Sequence, residues 1–505
     1  MSDIQELGYA AGAGSADLRR LALAVIQPGF TGLTAPSWLL ERLADGLGGV
    51  ALFARNIQTP AQVAALTAQI HGANPAALVA IDEEGGDVTR LEHSTGSSWP
   101  GNLALGAVDD VALTEAVAAE IGAALAEIGI DLDYAPDADV NVEAANPVIG
   151  VRSFGADPEL VARHTAAWVS GLQSAGVLAC AKHFPGHGDT GVDSHHDLPE
   201  VELGDPATSP WLVPFRAAAA AGAAAIMSAH VRVPGIDDRP ATLAPSIMGE
   251  LLRDGLGFTG LALSDGLEMG AVAGPLGVAE GAVQAVLAGV DALCIGGGLA
   301  DAETVDTVAA ALVSAVESGR LPLARLVEAG DRVAAAARLR DRLQASAARR
   351  PGRPASGAAR AGRSAAARAL RVRGAVPAPD PSTRPCLLEL VAPSNIAVGD
   401  DTPSGITTAV ARRWPGLVPL RVTDRSGVRA GLEGARGRPV WVVVRDPHRH
   451  QWMDALVAEV VRTRPDAVVV DTGWPGWHPP AGATHVVTHG ASWASGEAVV
   501  ELLAP

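Results

Sequence analysis

Lysine is almost missing from these 505 residues: it occurs once, at Lys182, and arginine supplies every other fixed cation. Cysteine is nearly as scarce. Cys180, Cys294 and Cys386 are odd in number and far apart, which argues against a disulfide framework and fits a reducing compartment. Net positive charge is lacking too. The formal charge is −18, whereas a nucleic-acid binder would show a basic face. No stretch of about 18 uncharged apolar residues occurs, so no transmembrane helix and no membrane partner are expected. Residues 1–14 carry Asp3 and Glu6 but no basic residue and no long apolar run, unlike a secretory signal. The expectation is a soluble, cytoplasmic protein. No internal repeat of about 20–50 residues is visible. P-loop, dinucleotide and metal motifs are also missing, so no cofactor is expected, and Gly296-Gly297-Gly298 reads as a turn.

What is present is enough apolar sequence, 48%, to fill more than one core. Short β-type runs alternate with helical patterns through the first 340 residues. The runs are Leu21–Ile26, Gly49–Phe53, Ala77–Ile81, Asp131–Ala135, Val177–Ala181, Ala224–Ser228, Leu261–Ser264 and Asp291–Ile295. Helical spacing predicts Ala61–His71, Val111–Ile128, Pro158–Ala175 and Val278–Ala288 between them. Eight such alternations suit an α/β fold of the (β/α)8 TIM-type barrel kind over residues 1–345. A linker and an arginine-rich helix, Ala358–Leu370, are expected at 346–380, and a small α/β C-terminal domain at 381–505. Its strand candidates are Cys386–Val391, Val440–Val444 and Ala467–Val470. Asp446-Pro447-His448-Arg449-His450 follows a strand and could form a site, but with no other convergent polar motif in that domain a structural or interface role is the expectation.

The densest chemistry lies in Lys182-His183-Phe184-Pro185-Gly186-His187-Gly188-Asp189-Thr190-Gly191-Val192-Asp193-Ser194-His195-His196-Asp197. Four of the 13 histidines, three carboxylates and the single lysine fall in these sixteen residues. Gly186 and Gly188 describe a turn-rich loop, and titratable groups crowded on a loop point to binding or catalysis. Histidine and aspartate are metal ligands as well, but no cysteine joins them and no second such group is obviously paired with them. A lone lysine among arginines suggests a place for a compact ammonium where a guanidinium fork would not fit.

This loop resembles the signature of glycoside hydrolase family 3, in the branch of NagZ-type β-N-acetylglucosaminidases. Other stretches recur in order: Asp82-Glu83-Glu84-Gly85-Gly86 with Arg90, Asn146-Pro147-Val148-Ile149-Gly150 with Arg152-Ser153-Phe154-Gly155, Met227-Ser228-Ala229-His230, and Ser264-Asp265-Gly266-Leu267-Glu268-Met269. The likeness covers about residues 20 to 340. It implies the same barrel, and Asp82, Lys182, His230 and Asp265 all fall at the ends of β runs, where such barrels carry their active sites.

The resemblance implies a retaining exo-glycosidase that forms a covalent glycosyl-enzyme. Asp265 is then the nucleophile; by position alone it could also be a helix N-cap. The acid/base is His195, polarised by Asp193, although composition alone does not separate His195 from the adjacent His196. An imidazole titrating near neutrality can give and recover a proton, and a carboxylate beside it fixes its tautomer. Asp82, Arg90, Arg152, Lys182 and His183 match the positions that hold the terminal sugar. Arg90 and Arg152 could instead be structural ion-pair partners. Asp87 stands where relatives often have a basic residue, a change that suits a surface position. Gly266 stands where the family often has Ala or Asp. The expected partner is a small oligosaccharide, either a muropeptide fragment or a chitin-type chain. A phosphorylase, a family 3 β-glucosidase or xylosidase, and a non-catalytic sugar sensor are the alternatives. A histidine acid, unlike a second carboxylate, does not repel phosphate.

Overall fold

In the computed structural model, residues 15–191, 198–297, 301–349, 359–377, 383–391, 402–424, 435 and 437–505 are described. The polypeptide forms two compact units. One runs through Glu83, then from Thr114 to Glu143 and from Ala156 to Ala358; the other takes Glu84–Leu113, Ala144–Gly155 and everything from Ala359 onward.

The first unit is built on short strands whose residues are nearly all buried, as expected where helices cover a parallel sheet. In chain order they are β1 (Ile26–Pro28), β2 (Gly49–Leu52), β3 (Leu78–Ile81), β4 (Leu132–Asp133), β5 (Leu178–Phe184) and β6 (Ala225–Ser228). A short antiparallel hairpin follows, β7 (Arg232–Val233) with β8 (Asp237–Pro240), and then come β9 (Leu261–Leu263) and β10 (Leu293–Ile295). Strands β2-β3-β4-β5-β6-β9 pair in parallel, β1 pairs in parallel with β10, and a bridge between Leu263 and Ala292 joins the two sets. This is the (β/α)8 barrel of the sequence reading. Alternate residues such as Leu78 and Ala80, Leu178 and Cys180, Leu261 and Leu263 share one core, which also takes in Val333, Ala336 and Ala337 of the helix Leu323–Ala347.

One element differs from expectation. Leu21–Ile26 is not a strand: Ser15–Ala24 is helical and the strand begins at Ile26. The buried Leu18, Leu21 and Ala22 have the three-and-four spacing of a helix face, and that periodicity outweighs the short apolar run. The other predicted helices are found at Pro60–Ala73, Val111–Glu127, Pro158–Ser174 and Val278–Ala288. Among the described residues no single helix is long and apolar enough to cross a membrane.

The second unit holds a six-stranded sheet: β11 (Arg371–Arg373), β12 (Cys386–Leu390), β13 (Leu420–Val422), β14 (Val440–Val444), β15 (Val468–Asp471) and β16 (Thr484–Val487). The spatial order is β11-β16-β15-β14-β12-β13, parallel except for β11. The sequence pattern reveals β12, rich in leucine, and β14 and β15, rich in valine. It does not reveal β13, three residues with Arg421 in the middle, nor β11, which reads Arg-Val-Arg and is exposed. A helix occupies Arg360–Ala369 in the arginine-rich stretch; residues 350–358 of the expected linker lie outside the described residues.

Candidate active site

The barrel's site residues sit where its strands end. Asp82 follows β3 directly, Lys182 and His183 are the fifth and sixth residues of β5, His230 lies two residues after β6, and Asp265 two after β9. The β5 strand therefore runs three residues beyond the predicted Val177–Ala181. Lys182 is held on its backbone by Pro136 O, which accepts its N–H at 3.0 Å, and by Ala138 N–H, which donates to its carbonyl at 2.5 Å. Its side chain is 2% exposed, and Nζ lies 2.7 Å from Asp82 Oδ1. One ion pair, with its lysine buried and its aspartate half-buried, thus joins two of the sugar-binding candidates.

Because the Lys182 backbone is pinned on both sides, a wider head group has little room to settle. Lys182→Arg is expected to introduce misfit of about 1–3 kcal/mol, read as roughly a ten- to hundredfold fall in kcat/KM despite the preserved charge. Steady-state kinetics with a melting curve checks this. Unchanged constants would show that any cation suffices.

His183 is oriented by a carboxylate that the sequence reading did not single out. Asp139 Oδ2 lies 2.7 Å from His183 Nδ1, and the same carboxylate accepts the backbone N–H of His187 at 2.7 Å. Asp137 Oδ2 is 3.9 Å from the same Nδ1. The clue was present in the alternation Asp137-Ala138-Asp139 just past β4, but the pairing partners lie more than 40 residues away. By spacing, Asp137, Asp139 and His183 could hold a metal ion. Asp139 is already engaged by an imidazole and by backbone donors, and these contacts account for its burial.

His187 is buried, and desolvation pushes its pKa down to about 4, so it is neutral near pH 7 and binds Thr190 Oγ1 through Nδ1 at 2.7 Å. Gly188 is required for contact. A Cβ there would lie 2.0 Å from Val140 O, and the Gly188 carbonyl accepts from Val142 N–H at 3.2 Å. Asp189 has its pKa raised by burial, then by Glu143 and Glu202. Asp193 and His195 lie outside the described residues.

Asp265 is half-buried, and its Oδ1 accepts the Gly266 N–H at 2.7 Å. It is not a helix N-cap: the next helix begins at Gly270 with Met269 in the cap position. His230 supports the following peptide, its Nε2 lying 2.9 Å from the Gly266 carbonyl and its Nδ1 2.8 Å from Thr242 Oγ1. Since a carbonyl only accepts, Nε2 carries the proton. Glu268 accepts from the Gly296 and Gly297 N–H groups, while Arg55 donates to the carbonyls of the same two residues. The expected turn at Gly296-Gly297 is thus clamped from both sides; Gly298 lies outside the described residues.

The other candidates belong to the second unit. Arg152, 6% exposed, forks onto Glu84 with Nε at 3.0 Å and Nη2 at 2.7 Å, and its Nη1 reaches Val148 O at 3.2 Å. Its guanidinium therefore has the ion-pair partner foreseen as the alternative, and Glu84 joins the set of site candidates. Arg90 is half-buried on the same segment as Glu84. Asp87 needs correction. It is not a surface residue but 7% exposed, paired with Arg445 and accepting the Ala491 N–H at 2.7 Å. A basic side chain there would face Arg445.

Residues 36–336 match the model of the glycosyl hydrolase family 3 N-terminal domain. The chain is 35% identical over 329 residues to Beta-hexosaminidase A of Pseudoalteromonas piscicida, covering 60% of this chain and 55% of that protein. It therefore spans little more than half the length of that relative. It is 41% identical over 264 residues to the Beta-hexosaminidase of Thiobacillus denitrificans, covering 50% of this chain and 72% of the other. Among solved structures, a glycoside hydrolase family 3 beta-N-acetylglucosaminidase from Paenibacillus sp. str. FPU-7 superposes with a TM-score of 0.82 at 31% identity, over 96% of each chain.

Proposed function

The chain belongs to glycosyl hydrolase family 3, and from that premise we propose that it is an exo-acting, retaining β-N-acetylglucosaminidase. The observation that carries the reading is the pairing of the buried Lys182 with the half-buried Asp82 at the strand ends, on the same barrel as the half-buried Asp265. An anionic and a cationic group fixed together can accept from and donate to neighbouring hydroxyls of one sugar ring. Asp265 then attacks the anomeric carbon, forming a carboxylate–carbon bond as the glycosidic C–O bond breaks. His195, oriented by Asp193, gives its proton to the departing oxygen. It takes a proton back from the water that cleaves the intermediate, which restores Asp265 and releases the sugar with its configuration retained. The family resemblance adds His183 of the first unit, and Arg90 and Arg152 of the second, as further candidates for sugar binding.

The proposal extends to substrates, short chitin-type or muropeptide-derived oligosaccharides, and to a cytoplasmic site of action. The supporting names belong to relatives: two are called beta-hexosaminidase and one beta-N-acetylglucosaminidase.

Aryl β-N-acetylglucosaminide is expected to be turned over faster than aryl β-glucoside or aryl β-xyloside by about a hundredfold or more in kcat/KM, since a site built to bond the acetamido group leaves polar atoms unpaired without it. Preference for either of the other two glycosides moves the chain to another branch of the family. Running the same assay in phosphate and reading the product anomer and any sugar 1-phosphate tells hydrolysis from phosphorolysis.

A further inference from the structure

The loop after β14 has no role in the chemistry above. The strand order of the second unit's sheet reverses between β12 and β14, and at such a point the carboxyl ends of parallel strands leave the crevice where open α/β sheets take their ligands. Here that end of β14 is engaged by the protein's own segments. Arg445 pairs with Asp87, and three residues further on His448 Nε2 lies 3.1 Å from Ala144 O. Arg449 Nη1 is 3.4 Å from Asn146 O. The loop is itself fixed: Asp446, in the left-handed region at φ 45°, accepts the Trp474 N–H at 2.7 Å. Beyond Asn146, whose Oδ1 accepts Val148 N–H and Ile149 N–H at 2.9 Å each, the backbone turns and delivers Arg152 onto Glu84. One loop therefore grips both segments that carry Arg90 and Arg152.

We propose that Arg445, seconded by Arg449, is a positioning residue for sugar binding, acting through Asp87 and Asn146 on the segments that carry Arg90 and Arg152. This rests on the reading of those two arginines as sugar ligands. The end of the sheet where open α/β folds usually take a ligand is here a clamp on the segments that carry Arg90 and Arg152.

Loss of a binding contact that is equal in ground and transition states raises KM and spares kcat. Arg445→Ala is expected to raise KM by about tenfold with kcat within about threefold of wild type, and Arg445→Lys to recover part of the loss. Asp87→Ala combined with Arg445→Ala should be no worse than either alone, as for two ends of one contact. A folded Arg445→Ala protein with unchanged KM overturns the proposal, leaving the pair a structural strut. Should that variant fail to fold, Arg449→Ala carries the test, its side chain being 28% exposed; unchanged KM there overturns it equally. All variants are compared on whichever aryl glycoside the wild type prefers, so a wrong sugar assignment appears in the wild type and not in the ratios. Unchanged KM in Arg152→Ala beside raised KM in Arg445→Ala would reject Arg152 as a ligand while keeping the clamp.

Discussion

Asp265→Asn is expected to abolish turnover, by on the order of 10,000-fold or more, the scale on which removal of a single nucleophile acts. The amide is nearly isosteric with the carboxylate and keeps an oxygen for the Gly266 N–H, so the loop and its His230 support should survive. The melting temperature should then stay close to that of wild type. What is lost is the negative charge that, in the proposed mechanism, attacks the anomeric carbon. The check is kcat on an activated aryl N-acetylglucosaminide beside a thermal melt. Activity within about tenfold of wild type, a barrier change of only about 1.4 kcal/mol, would show that another carboxylate attacks.

His195→Ala is the second large effect, and its size should depend on the leaving group. A positioned acid contributes about 100- to 10,000-fold when the leaving oxygen is basic and needs its proton. A dinitrophenolate departs unaided, so its glycosylation step should be almost spared. Attack of water on the intermediate still loses its base, so the glycosyl-enzyme should accumulate and release a burst of phenolate. Asp193→Ala should show a milder form of the same pattern, since the imidazole remains without its orienting partner. Pre-steady-state release across phenols of graded acidity makes the measurement. An equal loss along the series with no burst would place the acid elsewhere.

The barrel could be read from the sequence because strands covered on both faces must be apolar throughout, and polar residues then stand out where each strand stops. Asp82, Lys182, His230 and Asp265, singled out by the family resemblance, stand at such places. The first strand was misplaced because a helix packing on the barrel presents similarly apolar residues, and over six positions the two periods are hard to tell apart. Asp139 and Glu84 escaped assignment for another reason. Each is defined by a partner, His183 or Arg152, that only the fold brings near. Asp87 shows the cost of reading a charge by default as solvated: its partner Arg445 is 358 residues away.

The division into units also bears on how the chain is made. The polypeptide crosses from one unit to the other after Glu83, Leu113, Glu143, Gly155 and Ala358. Glu84–Leu113 leaves the ribosome long before anything beyond Ala359 exists to receive it. At synthesis rates of about 5–20 residues per second, that segment waits on the order of ten seconds or more for its sheet. Most of the barrel's strands are complete in that interval, while the loops with Arg90 and Arg152 are still without their clamp. On the proposed clamp, the segments with Arg90 and Arg152 take their final form only after β14 and its loop have emerged, and a chain that stops short of β14 would leave both segments unfastened.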